Sequence, residues 1–288
     1  MALDLIREIE RQIPEMNEAP RKVAEYILND SMEASFSTID RIAHAAKVST
    51  ASVIRLANSL GYKTFREFQK ALKEYLRTYS APINKLSLND SSNTVDANED
   101  GVVVGVYRQE LENMNGVLQT LNENIVDDVA KRLEGARAIY ICGVRTSESV
   151  ARYLSFNLGR MFLNATYVGE AHAEQIEFFK RVGPEDVLIA ITVSRYNRTV
   201  CDAAAFCKGH GVPVIAITDS LDSPLVPFSV HQLIAKCKSN AFHNSIGAQV
   251  FLCDILIKAC SKINADRVRK NLKQDESIIN QMRYFIRK

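Results

Sequence analysis

From residue 138 onward, short β-branched runs alternate with stretches of helical periodicity, and few folds accommodate that rhythm. The runs are AIYICGV (138–144), ATYVG (165–169), DVLIAITVS (186–194), PVIAITDS (213–220) and HQLIAKC (231–237). A strand that is apolar along its whole length has both faces buried, which calls for helices on either side of a parallel sheet. The spacing predicts those helices near 149–163, 173–181, 199–210 and 245–262. The expected architecture for this half is therefore an α/β doubly wound parallel sheet, whose ligands sit at the carboxyl ends of the strands.

Two of those strand ends carry suggestive chemistry. The first reads Cys142, Gly143, Val144, Arg145, Thr146, Ser147. Glycine permits a sharp turn there, and hydroxyls with free backbone donors at the start of the next helix can cradle an anion. The second reads Thr192, Val193, Ser194, Arg195, Tyr196, Asn197, Arg198, Thr199. Its two guanidiniums match phosphate or carboxylate geometry. Serine and threonine after a strand also serve as plain helix caps, so neither loop alone assigns a ligand.

The first third of the chain has a different period. Residues 38–60, TIDRIAHAAKVSTASVIRLANSL, predict a helix capped by Thr38 with Ile39, Ile42, Ala43 and Ala46 on its buried face. Lys47, Val48 and Ser49 make the turn, with Val48 plugging the gap between the helices and Ser49 capping a second helix that starts near Thr50. Its inward face is expected to hold Ala51 or Val53, Ile54, Ala57 and Leu60, and Gly61 ends it. Thr50, Ser52, Arg55 and Asn58 then face outward. With Ser49 and Lys63 they form the candidate set for reading double-stranded DNA, since short hydroxyls and amides approach phosphates and base edges while arginine reaches guanine or phosphate. A third helix follows, capped by Thr64 with Glu67 three residues on. Over residues 41–80 eight Lys or Arg stand against Glu67 and Glu74, a local charge of +6 that suits a polyanion.

The stretch FSTIDRIAHAAKVSTASVIRLANSLGYKTFREF resembles the winged-helix-like DNA-binding region of RpiR/MurR-family transcriptional regulators. Val48, Ser49, Ser52, Val53, Arg55, Leu60, Gly61, Tyr62, Phe65 and Phe68 occupy that family's pattern positions, with Ser52 where threonine is usual. The α/β half is similar to the SIS (sugar isomerase) domain that follows in such regulators. Gly143, Arg145 and Ser147 fall on its GxGxS loop, arginine replacing the second glycine. Thr192, Ser194 and Thr199 fall on SxSGxT, whose glycine is missing, and Asp219, Ser220 and Ser223 lie near the same rim. The resemblance implies an effector site for an anionic sugar derivative, phosphosugar or sugar acid, built from Gly143, Arg145, Ser147, Thr192, Ser194, Arg195, Asn197, Arg198 and Thr199. The added arginines suit a carboxylate, a sugar acid or a differently placed phosphate.

Residues 78–101 lose aromatics except for Tyr79 and fill with Asn, Asp and Ser, the composition of a linker. The expected plan is thus an all-α helix-turn-helix domain over 1–77, a linker over 78–101 and the α/β effector-binding and oligomerisation domain over 102–288. Within 102–121, Val106, Leu111, Met114, Leu118 and Leu121 roughly keep helical spacing, either as a connector or as a dimer contact. A homodimer or homotetramer is expected, because two half-sites on DNA call for a symmetric protein. The overall charge of +2 leaves the basic signal local. The N-terminus lacks a secretory signal pattern, and the longest apolar stretch, 187–193, is too short to cross a bilayer, so a cytoplasmic location away from the membrane is expected. Six cysteines without CxxC spacing read as reduced core residues, and neither a metal nor a cofactor motif appears. The alternatives are a sugar-phosphate isomerase or a non-catalytic sugar-binding module. An isomerase needs a positioned base, for which Glu170, His172, Glu174 and His243 are candidates, but no paired acid and base stands out. No enzymatic activity is expected.

Overall fold

The computed structural model describes residues 4–29, 31–79, 82 and 101–285, which fall into two compact units. Apart from its edges, the expected linker lies outside the described residues.

Among the described residues the N-terminal unit holds α1 (Asp4–Gln12), α2 (Glu18–Asn29), α3 (Ser31–Phe36), α4 (Ile39–Ala45), α5 (Thr50–Ser59) and α6 (Phe65–Tyr79). One core joins them, including Leu5 and Ile9 of α1, Val23 and Ile27 of α2, Ile42 of α4, Val53 and Leu56 of α5, and Phe68 and Leu72 of α6. Thr38 caps α4 by accepting from Arg41 N at 3.3 Å. Thr64 caps α6 by accepting from Glu67 N at 3.1 Å, while Glu67 reaches back to Lys63 N at 2.9 Å. Lys47 holds the turn with a left-handed φ of 54°, and Gly61 ends α5 at φ 88°.

The second unit begins with α7 (Val102–Thr120) and α8 (Glu123–Gly135). Then β1 (Ile139–Gly143), α9 (Thr146–Phe162), β2 (Ala165–Val168), α10 (His172–Arg181), β3 (Val187–Ile191), α11 (Arg198–Gly209), β4 (Val214–Thr218), β5 (His231–Ile234), α12 (Gly247–Ile263) and α13 (Ala265–Gln281) follow. All five expected runs are strands, paired in parallel in the order β2-β1-β3-β4-β5. Alternate residues feed opposite layers, which is why the runs are apolar at every position. Ile139, Ile141, Ile189, Ile191, Ile215 and Ile217 face a core with α8, α9 and α12. Cys142, Leu188, Ala190, Val214 and Ala216 face one with α10 and α11.

One expected face needs correction. In α5, Ser52 is buried at 2% exposure and Ile54 is 42% exposed, the reverse of the expectation. The buried stripe runs through Ser52, Val53, Leu56 and Ala57, because α5 packs against α2 as well as α4 and α6. Leu56, three residues beyond Val53, turns that stripe toward Ser52 and away from Ile54. In α7 the spaced apolar residues Val106, Leu111 and Leu118 lie exposed, as a connector or a dimer contact allows, and Asn113 and Val117 are buried. Asn113 Nδ2 donates to Lys238 O at 2.8 Å, so a buried amide satisfies a loop carbonyl where an apolar residue would leave it unpaired.

Candidate functional site

The strand order makes β1 and β3 the point where the chain reverses its direction of travel across the sheet: β1 leads outward to β2, β3 to β4 on the other side. Helices therefore leave these two neighbouring strands on opposite faces, and a crevice opens between their carboxyl ends. The two candidate loops meet there, since Gly143 pairs with Ile191, one residue before Thr192.

In the first loop Gly143 is pressed against α9. A Cβ on it would stand 2.7 Å from Ser147 O and 3.0 Å from Ala151 Cβ. Tyr167 OH donates to Gly143 O at 3.1 Å and fixes the turn from the side. Arg145 precedes α9 with a left-handed φ of 56° and an exposed side chain, while Ser147 is buried in the first turn. Donor groups of that turn open toward the crevice with the positive end of the helix dipole.

The second loop is tied down by its own polar groups. Asn197 N donates to Thr192 Oγ1 at 2.9 Å, and Asn197 Oδ1 accepts from Val200 N at 3.3 Å to cap α11. Ser194 Oγ donates to Asp219 Oδ2, and Ser194 N donates to the same oxygen at 3.3 Å. Cys237 Sγ adds a 3.5 Å donation to Asp219, and Asn244 Nδ2 holds Ser194 O at 3.2 Å. Ser194 is thus anchored inward by a carboxylate that the sequence placed only at the rim. Arg195 has a left-handed φ of 61° and is exposed, Thr199 is half-buried, and Arg198 is exposed with a 3.5 Å contact to Asp202. Thr192, Ser194, Arg195, Asn197, Arg198 and Thr199 therefore share one rim with Gly143, Arg145 and Ser147. Sequence reasoning missed Tyr167, Cys237 and Asn244, whose roles depend on pairings far along the chain.

Of the candidate bases, Glu170 and His243 are exposed, while the side chains of His172 and Glu174 lie outside the described ones. Burial pushes the thiols of Cys142, Cys207, Cys253 and Cys260 up to about 12 and that of Cys201 to about 11, so these groups stay protonated core residues. Among the described residues no group of three His, Cys, Asp or Glu could hold a metal, and no helix is long and apolar enough to cross a membrane.

On the helix-turn-helix, Ser49, Arg55, Asn58 and Lys63 are exposed and Thr50 is half-buried. Ser49 has the extended backbone of a cap, but its hydroxyl lies 3.1 Å from Ser52 Oγ and makes no bond to the backbone of α5. Ser52 is therefore removed from the outward set, and Ile54 enters it. Arg55 Nε donates to Ala51 O at 3.3 Å, which lays the guanidinium along α5 on its outward side.

Comparison with known proteins bears on both units. A family model described as a helix-turn-helix domain of the rpiR family matches residues 3–79, and one described as the SIS domain matches residues 132–259. The chain is 25% identical over 275 residues to the HTH-type transcriptional regulator YfhH of Escherichia coli strain K12, covering 92% of this chain and 94% of that one. Among solved structures, Vibrio vulnificus NanR, complexed with ManNAc-6P, superposes with a TM-score of 0.59 at 21% identity over 96% of this chain and 98% of its own. The sugar isomerase domain of an RpiR transcription factor from Sphaerobacter thermophilus superposes with a TM-score of 0.60 at 22% identity, over 62% of this chain and 99% of that one.

Proposed function

Because this chain belongs to the rpiR family of HTH-type transcriptional regulators and carries an SIS domain, we propose that a phosphosugar or related anionic sugar derivative binds the β1/β3 crevice and alters its grip on operator DNA. The observation that carries the effector reading is the convergence of two loops and two helix N-termini, those of α9 and α11, on that crevice. Backbone donors and exposed arginines there can take an anion without a metal. The ManNAc-6P bound by NanR supports the same class of ligand.

DNA is read in this proposal by Ser49, Thr50, Ile54, Arg55, Asn58 and Lys63 on and beside α5. Two copies are required to place two such helices on successive half-sites, so the protein acts as a homodimer or a homotetramer in the cytoplasm, beside its operator. Control requires a ligand that favours one arrangement of the copies over another, because equal affinity for both shifts nothing. We propose no enzymatic step, in keeping with the naming of the relatives as transcriptional regulators.

The test is fluorescence anisotropy of labelled DNA taken from around the gene, titrated with the full chain at fixed salt, with and without a panel of sugar phosphates and sugar acids. Sequence-specific binding that one of them shifts by about five- to 150-fold is the expected result. Specific binding that no anionic sugar alters would remove the effector role, and turnover of a sugar phosphate without DNA affinity would replace the proposal with an isomerase.

A further inference from the structure

We propose that a second copy of this chain docks on the outer face of α7, α12 and α9, with a two-fold axis crossing α12 between Asp254 and Lys258. The inference rests on the homodimer reading above and deepens it by naming the face. The inner side of α12, with Ala248, Leu252, Cys253, Leu256 and Cys260, belongs to the core. Its other sides are apolar as well, since Val250, Phe251, Ile255 and Ile257 are half-buried and Asp254 is the only charge from 247 to 257. A helix apolar nearly all round belongs in an interior, yet this one leaves Asp254 and Lys258 exposed at the surface of the chain.

The neighbouring helices extend that face. On α7, Val103, Tyr107, Leu111 and Leu118 form an exposed apolar stripe at helical spacing. Glu110, two turns on from Val103, lies against Gly247 at the start of α12, so the stripe borders α12. From α9, Tyr153 donates to Asp254 Oδ1, and Phe156 stands exposed one turn further along. Size and charge point to a second copy as the occupant. Helices of 17 and 19 residues are about 25–29 Å long and pack about 8–10 Å apart. Three of them present about 700 Å², close to the about 800 Å² that each partner gives to a standard interface. Asp254 and Lys258 follow each other one turn apart on the outer strip, and among the described residues Lys258 forms no ion pair. A two-fold axis between them sets Asp254 of each copy against Lys258 of the other, so one patch serves both partners.

The test measures the dimer dissociation constant of the full chain by analytical ultracentrifugation. Leu111→Glu and Phe156→Glu should each raise it about 100-fold or more, because a charge enters an apolar contact, with circular dichroism confirming the fold. Lys258→Glu should raise it about tenfold, and adding Asp254→Lys should recover most of that loss. Hydroxyl-radical footprinting of the unaltered chain on either side of the dissociation constant needs no variant. Tyr107 and Phe156, 61% and 64% exposed in the single chain, should be protected in the dimer, whereas Tyr284 and Phe285, 71% and 65% exposed, should label equally in both states. A dimer that no variant weakens, or whose Tyr107 and Phe156 label as they do in the monomer, overturns the face while the homodimer reading stands. A double variant no tighter than Lys258→Glu overturns the two-fold placement. A chain that stays monomeric at every concentration overturns both readings, and protection of Tyr107 and Phe156 in that monomer gives the face to its own N-terminal unit.

Discussion

The phenol of Tyr153 donates a 2.5 Å hydrogen bond to Oδ1 of Asp254, joining α9 to α12 seven residues past the first residue of each helix. The register has a consequence at the sheet edge. Gly143 leads into α9 there, and Ser245 N donates to Cys237 O at 3.1 Å just before α12. Cys237 touches Asp219, which holds Ser194. Two helix N-termini thus lie at one edge at matched height, with the Glu110 carboxylate already beside that of α12.

Tyr153→Phe removes that hydrogen bond and keeps the ring. The pair is partly exposed, so the expected cost is about 0.5–1.5 kcal/mol, read from urea unfolding of the variant beside the parent. An effector affinity that falls with it would show that the matched height matters to the site. An unchanged midpoint would mean that packing alone sets the register.

Arg137 and Asp186 make the corresponding tie at the opposite edge of the sheet. Arg137 Nε and Nη2 donate to the two carboxylate oxygens at 2.8 and 2.6 Å, and Gly183 N donates to Oδ2 at 2.8 Å. Burial alone would raise the Asp186 pKa, yet these donors together leave it lowered. A carboxyl whose folded pKa lies below its unfolded value stabilises fully above about pH 4 and loses that contribution as pH falls through the folded value. Arg137→Ala should lower stability at pH 7, by less than loss of a fully buried pair would because Arg137 is half exposed. In urea unfolding the gap between variant and parent should narrow toward pH 3, and a gap independent of pH would refute the assignment.

The strands and the tight loops were legible in the sequence for a simple reason. A strand buried on both faces must be apolar at every position, as Val187–Ile191 is, and Gly143 announces a close backbone approach. Among the described residues three helices escaped, the short α3 being one. α8 has a clear signal in its cap Asn122 and its apolar Val126, Val129, Ala130 and Leu133, whereas α13 buries little beyond Val268 and Asn271, and its polar sequence gives no period. The face of α5 was misjudged because it depends on a distant partner, α2, for Ser52 and Leu56, and the burial of Asn113 in α7 likewise depends on the distant Lys238 carbonyl. Left-handed backbone at Arg145 and Arg195 has no signal in arginine itself and is marked only by the glycines that the resembling loops carry there.

Gly143→Ala tests the first loop. The new Cβ would meet the backbone oxygen of Ser147 and the Cβ of Ala151, neither of them the end of a flexible chain. Either α9 or the end of β1 must shift, at a cost of about 1–3 kcal/mol. The expected outcome is a lowered melting temperature with loss of the effector response, while DNA affinity without effector persists. A variant that still responds normally would show that the loop tolerates the shift and that the anion sits elsewhere.

The face of α5 supplies the sharpest contrast on DNA. Ile54 is exposed at 42% and Arg55 lies beside it, so both can enter a groove, whereas Ser52 lies under α2 with its hydroxyl on Ser49. Arg55→Ala should weaken operator binding by about 1–3 kcal/mol if it reads guanine, or lower the salt slope by about one if it meets only phosphate. Ile54→Ser removes an apolar surface suited to a thymine methyl and should reduce the ratio of specific to non-specific affinity at unchanged stability. Ser52→Ala should leave the DNA contacts intact and act only on stability. Anisotropy titrations of all three at two salt concentrations separate these cases. A Ser52→Ala variant that keeps its fold and loses the operator, beside an Ile54→Ser variant that binds as the parent does, would mean that the helix meets DNA by the opposite edge.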